Sequence, residues 1–294
     1  MLLELKGVNK FYGDFHAVKD VSMSLEEGGV YGILGRNGAG KTSTIRMIMD
    51  VYTPEKGEII RHYTQNEVSY LPEERGIYPK MSLKDTLYFF GEIKGMKRKE
   101  IDARKDYWLE KFELKDWYTK KIENLSKGMQ QKVQFITAVI NEPRLLILDE
   151  PFSGMDAVNS QLMKDSMVEL RKKGTTVLFS THIIEHAENL CSSIMIINKG
   201  EKVVDGSLNT VKEKYGKRTV FVRYEGNGAV LNNDMVETID DYGQYAEVTL
   251  KNPETYQEYL KKIIELVKIV EFRLDTPSLK SIFLHIAGGE NNEQ

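Results

Sequence analysis

Cysteine and long apolar runs are nearly absent from this chain of 294 residues. The single cysteine, Cys191, has no partner for a disulfide within the chain, which excludes a fold built on disulfides. No stretch approaches the roughly 20 consecutive apolar residues of a membrane-spanning helix, and the opening segment, MLLELKGVNK, lacks the apolar core of a signal peptide. We therefore expect a cytosolic protein that meets a membrane only through a partner.

An excess of one charge is also lacking, because 41 lysines and arginines are balanced by 44 aspartates and glutamates. The basic clusters, such as residues 97–99, are short and scattered, which is typical of solvated helix faces and not of a nucleic-acid-binding surface. His16, His62, His186 and His285 show no metal-ligand spacing. We therefore expect neither a nucleic-acid partner nor a histidine-based metal site.

The order of apolar patterns predicts an α/β fold. Residues 30–34 read as a buried strand that ends at a glycine-rich turn, and a helical pattern follows at once. Residues 80–140 carry helical periodicity throughout, beginning with a capping box at Ser82 and Asp85. Strand-like runs then alternate with helices up to about residue 197, which predicts a mainly parallel sheet.

A second, smaller domain is predicted after the α/β part. The chain turns polar near residue 213 and then begins a new set of short strands and helices, which indicates a small α+β domain over residues 214–287. Residues 288–294 have no apolar anchor, so we expect a disordered tail. The first domain would then span residues 1–213.

A phosphate-binding loop lies between the buried strand and the following helix. Its glycines allow backbone N–H groups to converge on phosphate oxygens, and the start of the helix adds partial positive charge. Lys41 is expected to bridge the β- and γ-phosphates, and the hydroxyl of Thr42 to bind Mg²⁺. The residues expected to hold the nucleotide here are Gly35, Arg36, Asn37, Gly38, Ala39, Gly40, Lys41, Thr42 and Ser43.

Two carboxylates follow an apolar strand at residues 145–148. In open α/β sheets ligands bind at the carboxyl ends of the strands, so Asp149 and Glu150 are predicted to face the phosphates. Asp149 suits Mg²⁺ binding, and Glu150 suits the orientation of an attacking water molecule. Without the phosphate loop, the same residues would read as an acidic turn.

The segment Leu125-Ser126-Lys127-Gly128-Met129 begins a helix with Ser126 as its N-cap. At this point the chain resembles the ATP-binding-cassette (ABC) family, whose signature is usually Leu-Ser-Gly-Gly-Gln. By that resemblance, Ser126 and Gly128 contact ATP, Asp156 belongs to the D-loop, His182 hydrogen-bonds the γ-phosphate and Tyr12 stacks on adenine. The order of these motifs along the chain carries the resemblance.

Two departures from the family pattern stand out. Glu73 occupies the place of the usual Q-loop glutamine, where its carboxylate would still reach Mg²⁺ or the attacking water. Lys127 and Met129 replace a glycine and a glutamine of the signature. The sequence therefore predicts Glu150, His182 and Glu73 as catalytic residues, and Thr42, Asp149 and Glu73 as ligands of Mg²⁺.

The resemblance implies a P-loop ATPase with a helical subdomain, whose cofactors are ATP and Mg²⁺. Two such subunits, identical or paralogous, would close on ATP and drive a polytopic membrane permease from the inner face of the cell membrane. The segment 75–79 would contact that permease. Residues 275–283 resemble the ending of a bacterial exporter-type subgroup that includes sodium-efflux and antimicrobial-peptide or antibiotic-efflux ATPases.

Two alternatives remain open at this stage. A GTPase would carry Asn-Lys-x-Asp on a late strand, and residues 198–201 resemble that motif superficially, although they read better as a hairpin turn. An ABC ATPase acting on ribosomes or nucleic acid is the second alternative. Such proteins typically carry paired cassettes or a coiled-coil insertion, and the sequence has neither sustained heptads nor a basic stripe.

Overall fold

The computed structural model describes residues 1–74, 76–215, 219–275 and 278–288, which form two compact units. Unit 1 ends at Ser207 and unit 2 begins at Leu208, whereas the sequence analysis set the boundary after residue 213. The units divide earlier because one helix begins at Leu208 and lies wholly in unit 2. Apart from Gly288, the predicted tail lies outside the described residues, as does Arg75.

Unit 1 combines one large sheet with surrounding helices. Its strands are β1 Leu3–Tyr12, β2 Phe15–Leu25, β3 Val30–Leu34, β4 Lys56–Arg61, β5 Val68–Leu71, β6 Leu145–Asp149, β7 Thr176–Thr181, β8 Ser193–Asn198 and β9 Glu201–Ser207. Its α-helices are α1 Lys41–Ile48, α2 Leu83–Ile93, α3 Arg98–Lys111, α4 Lys127–Val139, α5 Ala157–Lys172 and α6 Ile184–Leu190.

The nine strands of this sheet lie in the order β4-β1-β2-β9-β8-β3-β7-β6-β5. The pairs β2–β9, β8–β3, β3–β7, β7–β6 and β6–β5 are parallel, and the pairs β4–β1, β1–β2 and β9–β8 are antiparallel. The predicted parallel part is therefore correct for the central strands. Strands β4 and β5 were not predicted, because both are short and half of the residues of β4 are exposed.

The central strands β3, β6 and β7 are buried along their whole length, which explains their unbroken apolar sequences. Parallel pairing of β3 with β7 and of β7 with β6 brings three strand ends to one edge of the sheet. The phosphate loop, Asp149 and the end of β7 therefore meet there, as in other open α/β sheets.

The helical insertion contains α2, α3 and α4. Ser82 caps α2 by accepting a hydrogen bond from the N–H of Asp85, as the sequence predicts. Aromatic side chains from α3 and α4 pack together in its interior, where Trp108 lies close to Phe112 and Phe135. No helix of the described ranges is long and apolar enough to span a membrane.

The elements of unit 2 are α7 Leu208–Tyr215, β10 Thr219–Glu225, β11 Val236–Asp241, β12 Tyr245–Leu250, α8 Tyr256–Ile264, β13 Lys268–Asp275 and α9 Leu279–Gly288. Its four strands form an antiparallel sheet in the order β11-β12-β10-β13. Alternate residues of β10 and β12, such as Val220, Val222 and Val248, are buried against Tyr259 and Ile263 of helix α8. Strand β11 was not predicted.

Candidate active site

The phosphate loop connects β3 to α1 through a backbone that requires glycine at two positions. A Cβ atom on Gly35 would lie 2.5 Å from the carbonyl oxygen of Ile197, and one on Gly40 would lie 2.6 Å from that of Ala17. Gly40, with φ of 107°, is the N-cap of α1 and offers no side chain to the first turn. The N–H groups of that turn are therefore left for an anion.

Lys41 is the first residue of α1 and is only 6% exposed. Its Nζ donates to the carbonyl oxygens of Gly35 at 2.9 Å and Arg36 at 3.3 Å. The same Nζ is 3.1 Å from Oε1 of Glu150, which is equally buried. The ammonium group is therefore held between the phosphate loop and the acidic end of β6.

The carboxylates of Asp149 and Glu150 lie at the predicted end of β6. Asp149 is fully buried, and Glu150 has a left-handed backbone with φ of 49°. Oε2 of Glu150 is 3.0 Å from Nδ1 of His182, which follows β7. Glu150 thus contacts both the lysine of the phosphate loop and the predicted γ-phosphate histidine.

A cleft of about 410 Å³ lies beside Lys41 and Glu150, and neither Asp149 nor His182 lines it. The phosphate loop from Asn37 to Ser43 lines it, together with Glu73 and Glu150. Tyr12 lies at its outer end, 43% exposed, with its hydroxyl 3.2 Å from Oγ of Ser43. The structure therefore places Tyr12, the loop, Glu73 and Glu150 around one space that fits a nucleotide.

Phe15 is a cleft residue that sequence reasoning missed. It lies opposite Tyr12 in the β1–β2 pairing and is 63% exposed. A large exposed aromatic side chain beside a cleft is typical of a base-stacking surface. The signal in the sequence was the Gly13-Asp14 turn, because a two-residue turn sets residues 12 and 15 side by side.

The residues present fit a magnesium ion. Oδ2 of Asp149 is buried and has no hydrogen-bond partner among the described residues, so one oxygen of a buried carboxylate is left for a cation. Thr42 and Glu73, which line the cleft, add a hydroxyl and a carboxylate, and oxygen ligands are those that Mg²⁺ prefers. Tyr70 lies near Asp149; burial and then the charge of Asp149 raise its pKa to about 12, so its phenol stays neutral.

Comparison with known proteins agrees with this geometry. Residues 18–153 match the family described as ABC transporter, and residues 206–287 match the C-terminal domain of ATP-binding protein DrrA1-3-like. The chain is 39% identical over 296 residues to the ABC transporter ATP-binding protein YhaQ of Bacillus subtilis (strain 168), covering 98% of this chain and 99% of that protein. The chain belongs to the ABC transporter ATP-binding proteins.

Two further comparisons extend the similarity. Nod factor export ATP-binding protein I of Bradyrhizobium diazoefficiens is 29% identical over 305 residues, with 99% of this chain and 97% of that protein covered. A solved ATP-binding subunit of an ABC transporter superposes with a TM-score of 0.70 and 30% identity, covering 73% of this chain and 93% of that one. The ABC fold and the ATPase class predicted from the sequence are thereby confirmed, and the transport interpretation is favoured over the ribosomal or nucleic-acid alternative.

Other predicted contacts of this ABC protein do not line the nucleotide cleft. Ser126 caps α4, accepting from the N–H of Met129 at 3.3 Å, and Asp156 caps α5, accepting from the N–H of Asn159 at 2.8 Å. Ser126 and Asp156 are exposed, and a Cβ atom on Gly128 would meet no atom of the described residues within 4 Å.

A second cleft of about 240 Å³ borders Glu73 and Glu150 as well as Lys127 of the signature. Two glutamines of α4, which the sequence analysis did not single out, line this cleft and donate hydrogen bonds to the backbone on two sides of it. Nε2 of Gln134 donates to the carbonyl oxygens of Pro72 and Glu74, at 3.1 and 3.2 Å. Nε2 of Gln131 donates to those of Pro151 and Ser153, both at 3.0 Å. Helix α4 is therefore hydrogen-bonded to the residues that flank Glu73 and to those that follow Glu150.

The segment that resembled a guanine-binding motif forms the turn between β8 and β9. Lys199 and Gly200 have φ values of 49° and 86°, which a tight antiparallel hairpin requires. A Cβ atom on Gly200 would lie 2.8 Å from the carbonyl oxygen of Ala17. The predicted hairpin is therefore correct, and Asn198 is the last residue of β8, paired with Glu201 across the turn.

Proposed function

We propose that this chain binds Mg²⁺ and ATP in the cleft of Tyr12, the phosphate loop and Glu150, and that hydrolysis there drives a separate membrane permease. The observation that carries the proposal is the contact of Glu150 with both Lys41 and His182, beside an oxygen of Asp149 that has no hydrogen-bond partner in the described part of the chain. These groups surround the position that a γ-phosphate takes when the loop holds a nucleotide.

In this mechanism Lys41 leaves its carbonyl partners to contact the β- and γ-phosphates. Glu150 orients a water molecule and accepts its proton while the water oxygen bonds to the γ-phosphorus and the bond to the β–γ bridging oxygen breaks. With Nδ1 directed at Glu150, His182 keeps Nε2 for a γ-phosphate oxygen. Thr42 and Asp149, with Glu73 nearby, would hold a magnesium ion, which would supply positive charge to the phosphates.

A second ATP-binding subunit completes each site in this proposal. Ser126, Gly128 and Asp156 lie outside their own cleft, at or beside the starts of α4 and α5, where free N–H groups and helix dipoles favour an anion. They would contact the ATP bound by a partner, which is a second copy or a paralogue. ATP then stabilises the closed pair, and its hydrolysis releases that stabilisation.

A surface patch around Tyr78 suits the permease. Tyr78 and Ile93 are 53% and 59% exposed, and the ring of Tyr78 packs edge-on against Phe89 at 5.5 Å. Ile77, which the sequence analysis grouped with Tyr78 as a contact, is only 7% exposed and supports the fold instead. The patch follows Glu73 closely in the chain, so a permease bound here is coupled to the catalytic cleft.

ABC ATPase subunits work with membrane permeases, and we propose export as the direction here. The support is the match of residues 206–287 to a DrrA-like C-terminal domain and the similarity to a Nod factor export protein. In this proposal the chain works at the cytoplasmic face of the cell membrane.

Replacement of the base-stacking residues tests the nucleotide pose. Tyr12→Ala and Phe15→Ala are each expected to weaken ATP binding about tenfold, because stacking of one base on an aromatic ring contributes about 1–3 kcal/mol. Binding of inorganic tripolyphosphate, measured by calorimetry, stays unchanged, and Tyr12→Phe keeps wild-type ATP affinity. Equal losses for ATP and tripolyphosphate would contradict base stacking.

The permease patch is tested with Tyr78→Ala and Ile93→Ala combined in one chain. We expect the variant to keep its basal ATPase activity while permease-stimulated ATPase activity falls severalfold, because an apolar anchor pair is lost from the interface. Val51→Ala removes an equally exposed apolar side chain, 59% exposed, from another surface and serves as the control. Unchanged stimulation in the double variant would remove the patch from the interface.

A further inference from the structure

Ser180 contacts both catalytic carboxylate residues through one hydroxyl group. It lies on β7 directly opposite Asp149 in the pairing with β6, and its side chain has no solvent exposure. Its Oγ donates to Oδ1 of Asp149 at 2.5 Å and accepts from the backbone N–H of Glu150 at 3.0 Å. One hydroxyl group therefore donates a hydrogen bond to Asp149 and accepts one from the next residue, Glu150.

The first hydrogen bond fixes the orientation of the Asp149 carboxylate. Because Oδ1 accepts from Ser180, rotation of the carboxylate would break a buried hydrogen bond to a charged group, which contributes about 1.5–3 kcal/mol. Oδ2 is the oxygen without a hydrogen-bond partner among the residues that the structure describes. Ser180 thus determines which oxygen of Asp149 is left for a cation.

The second hydrogen bond holds the backbone turn at Glu150. A left-handed φ of 49° is costly for a non-glycine residue, by about 1–3 kcal/mol, and persists only where its surroundings enforce it. In this conformation the N–H of Glu150 donates to Oγ of Ser180. The carboxylate of Glu150 then lies 3.1 Å from Nζ of Lys41 and 3.0 Å from Nδ1 of His182. With an extended backbone at this position, the side chain of Glu150 would point away from Lys41 and His182.

We propose that Ser180 is a positioning residue for ATP hydrolysis, which orients Asp149 towards Mg²⁺ and Glu150 towards the attacking water. The inference rests on the proposed function of the cleft. Ser180 contacts neither the nucleotide nor the water, and it acts through the two carboxylate residues. Its removal therefore affects turnover and metal binding more than it affects the fold.

The chain provides a matched control in Ser69. This serine lies on β5, the strand that pairs with β6 on the other side, and is 2% exposed. Its Oγ donates to the side-chain oxygen of Asn141 at 3.0 Å. Ser69→Ala thus deletes a buried strand hydroxyl and a side-chain hydrogen bond of the same kind, without contact to either carboxylate.

The experiment compares Ser180→Ala with Ser69→Ala in the full chain. For Ser180→Ala we expect kcat for ATP to fall about tenfold or more, which corresponds to about 1.4 kcal/mol. We also expect the dissociation constant of Mn²⁺, measured by electron paramagnetic resonance with a non-hydrolysable ATP analogue, to rise severalfold. Affinity for the analogue without metal stays within twofold. Ser69→Ala changes only the midpoint of thermal unfolding.

Ser180→Thr and Ser180→Val form a second pair, in which the side chains have the same shape and differ by the hydroxyl. Threonine should retain most of the kcat and Mn²⁺ affinity, and valine should lose both. Equal values for this pair, or a Ser180→Ala protein that matches Ser69→Ala in kcat and Mn²⁺ affinity, would overturn the role of Ser180. Wild-type protein that neither hydrolyses ATP nor binds Mn²⁺ with the analogue would instead overturn the proposed function itself.

Discussion

Glu150→Gln is expected to lower the ATPase rate of the purified subunit by about a hundredfold or more, because a glutamine cannot accept the proton of the attacking water. The amide keeps the shape of the side chain and its contact distances to Lys41 and His182. ATP binding should therefore persist. Phosphate release and nucleotide affinity, measured on the same preparation, separate these two effects.

The same variant should accumulate as an ATP-dependent dimer, because ATP that is not hydrolysed continues to join the two subunits. Light scattering with and without Mg²⁺ and ATP measures this directly. Glu58→Gln, an identical change on the exposed edge strand β4, is the control and should hydrolyse ATP normally. A Glu150→Gln protein with the wild-type rate would remove Glu150 from the chemistry.

Lys41→Met is expected to abolish measurable ATP binding and to destabilise unit 1. Lys41 supplies the only side-chain cation that the described structure places in contact with the phosphate loop carbonyls, so its loss removes the charge that faces the phosphates. It also leaves Glu150 as a buried carboxylate with a missing partner, which costs about 3–5 kcal/mol. Calorimetric ATP titration and denaturant unfolding report the two losses separately.

Lys19→Met provides the control for the stability term. Lys19 and Glu201 form an ion pair of the same 3.1 Å length, but their side chains are 34% and 61% exposed. Loss of an exposed pair costs at most about 1 kcal/mol. Combining Lys41→Met with Glu150→Gln should recover part of the free energy of unfolding, because residue 150 then no longer buries a charge that has lost its partner. Equal destabilisation by Lys41→Met and Lys19→Met would contradict the buried pair.

The phosphate loop and the acidic strand end could be predicted because each is a local pattern. A buried strand, a glycine-rich turn and a helix are adjacent in the chain between residues 30 and 48, and Asp149 and Glu150 directly follow apolar residues. Ser126 was predictable as an N-cap for the same reason. Local sequence therefore predicts most of the residues that line the proposed nucleotide cleft.

Contacts between distant segments could not be predicted. Ser180 bonds to a residue 31 positions away, and Gln134 to a carbonyl 62 positions away. In the sequence, Ser180 is one polar residue in a buried strand, and Gln134 lies on a helical face like any other glutamine. Only the pairing of β6 with β7, and the packing of α4 beside β5, give these residues their partners.

The sheet was predicted in part for a related reason. Apolar runs mark β3, β6 and β7 because both faces of these strands are covered. Strand β4 has three exposed and three half-buried residues and pairs only with β1 among the described strands, so its sequence lacks a clear alternation. Ile77 was predicted as a surface contact because it lies in the segment 75–79, which links the helical insertion to the sheet through Glu73. The structure buries Ile77 and exposes Tyr78, and packing decides which of two adjacent loop residues is buried.

Capture of the Glu150→Gln protein with its membrane partner tests the central claim most directly. Tagged protein is incubated with Mg²⁺, ATP and detergent-solubilised membranes of the host, and the bound proteins are identified. We predict that a polytopic membrane protein is retained and that it is lost when Tyr78→Ala and Ile93→Ala are added. Retention of ribosomal or DNA-associated proteins alone, with no membrane protein, would contradict the transporter account.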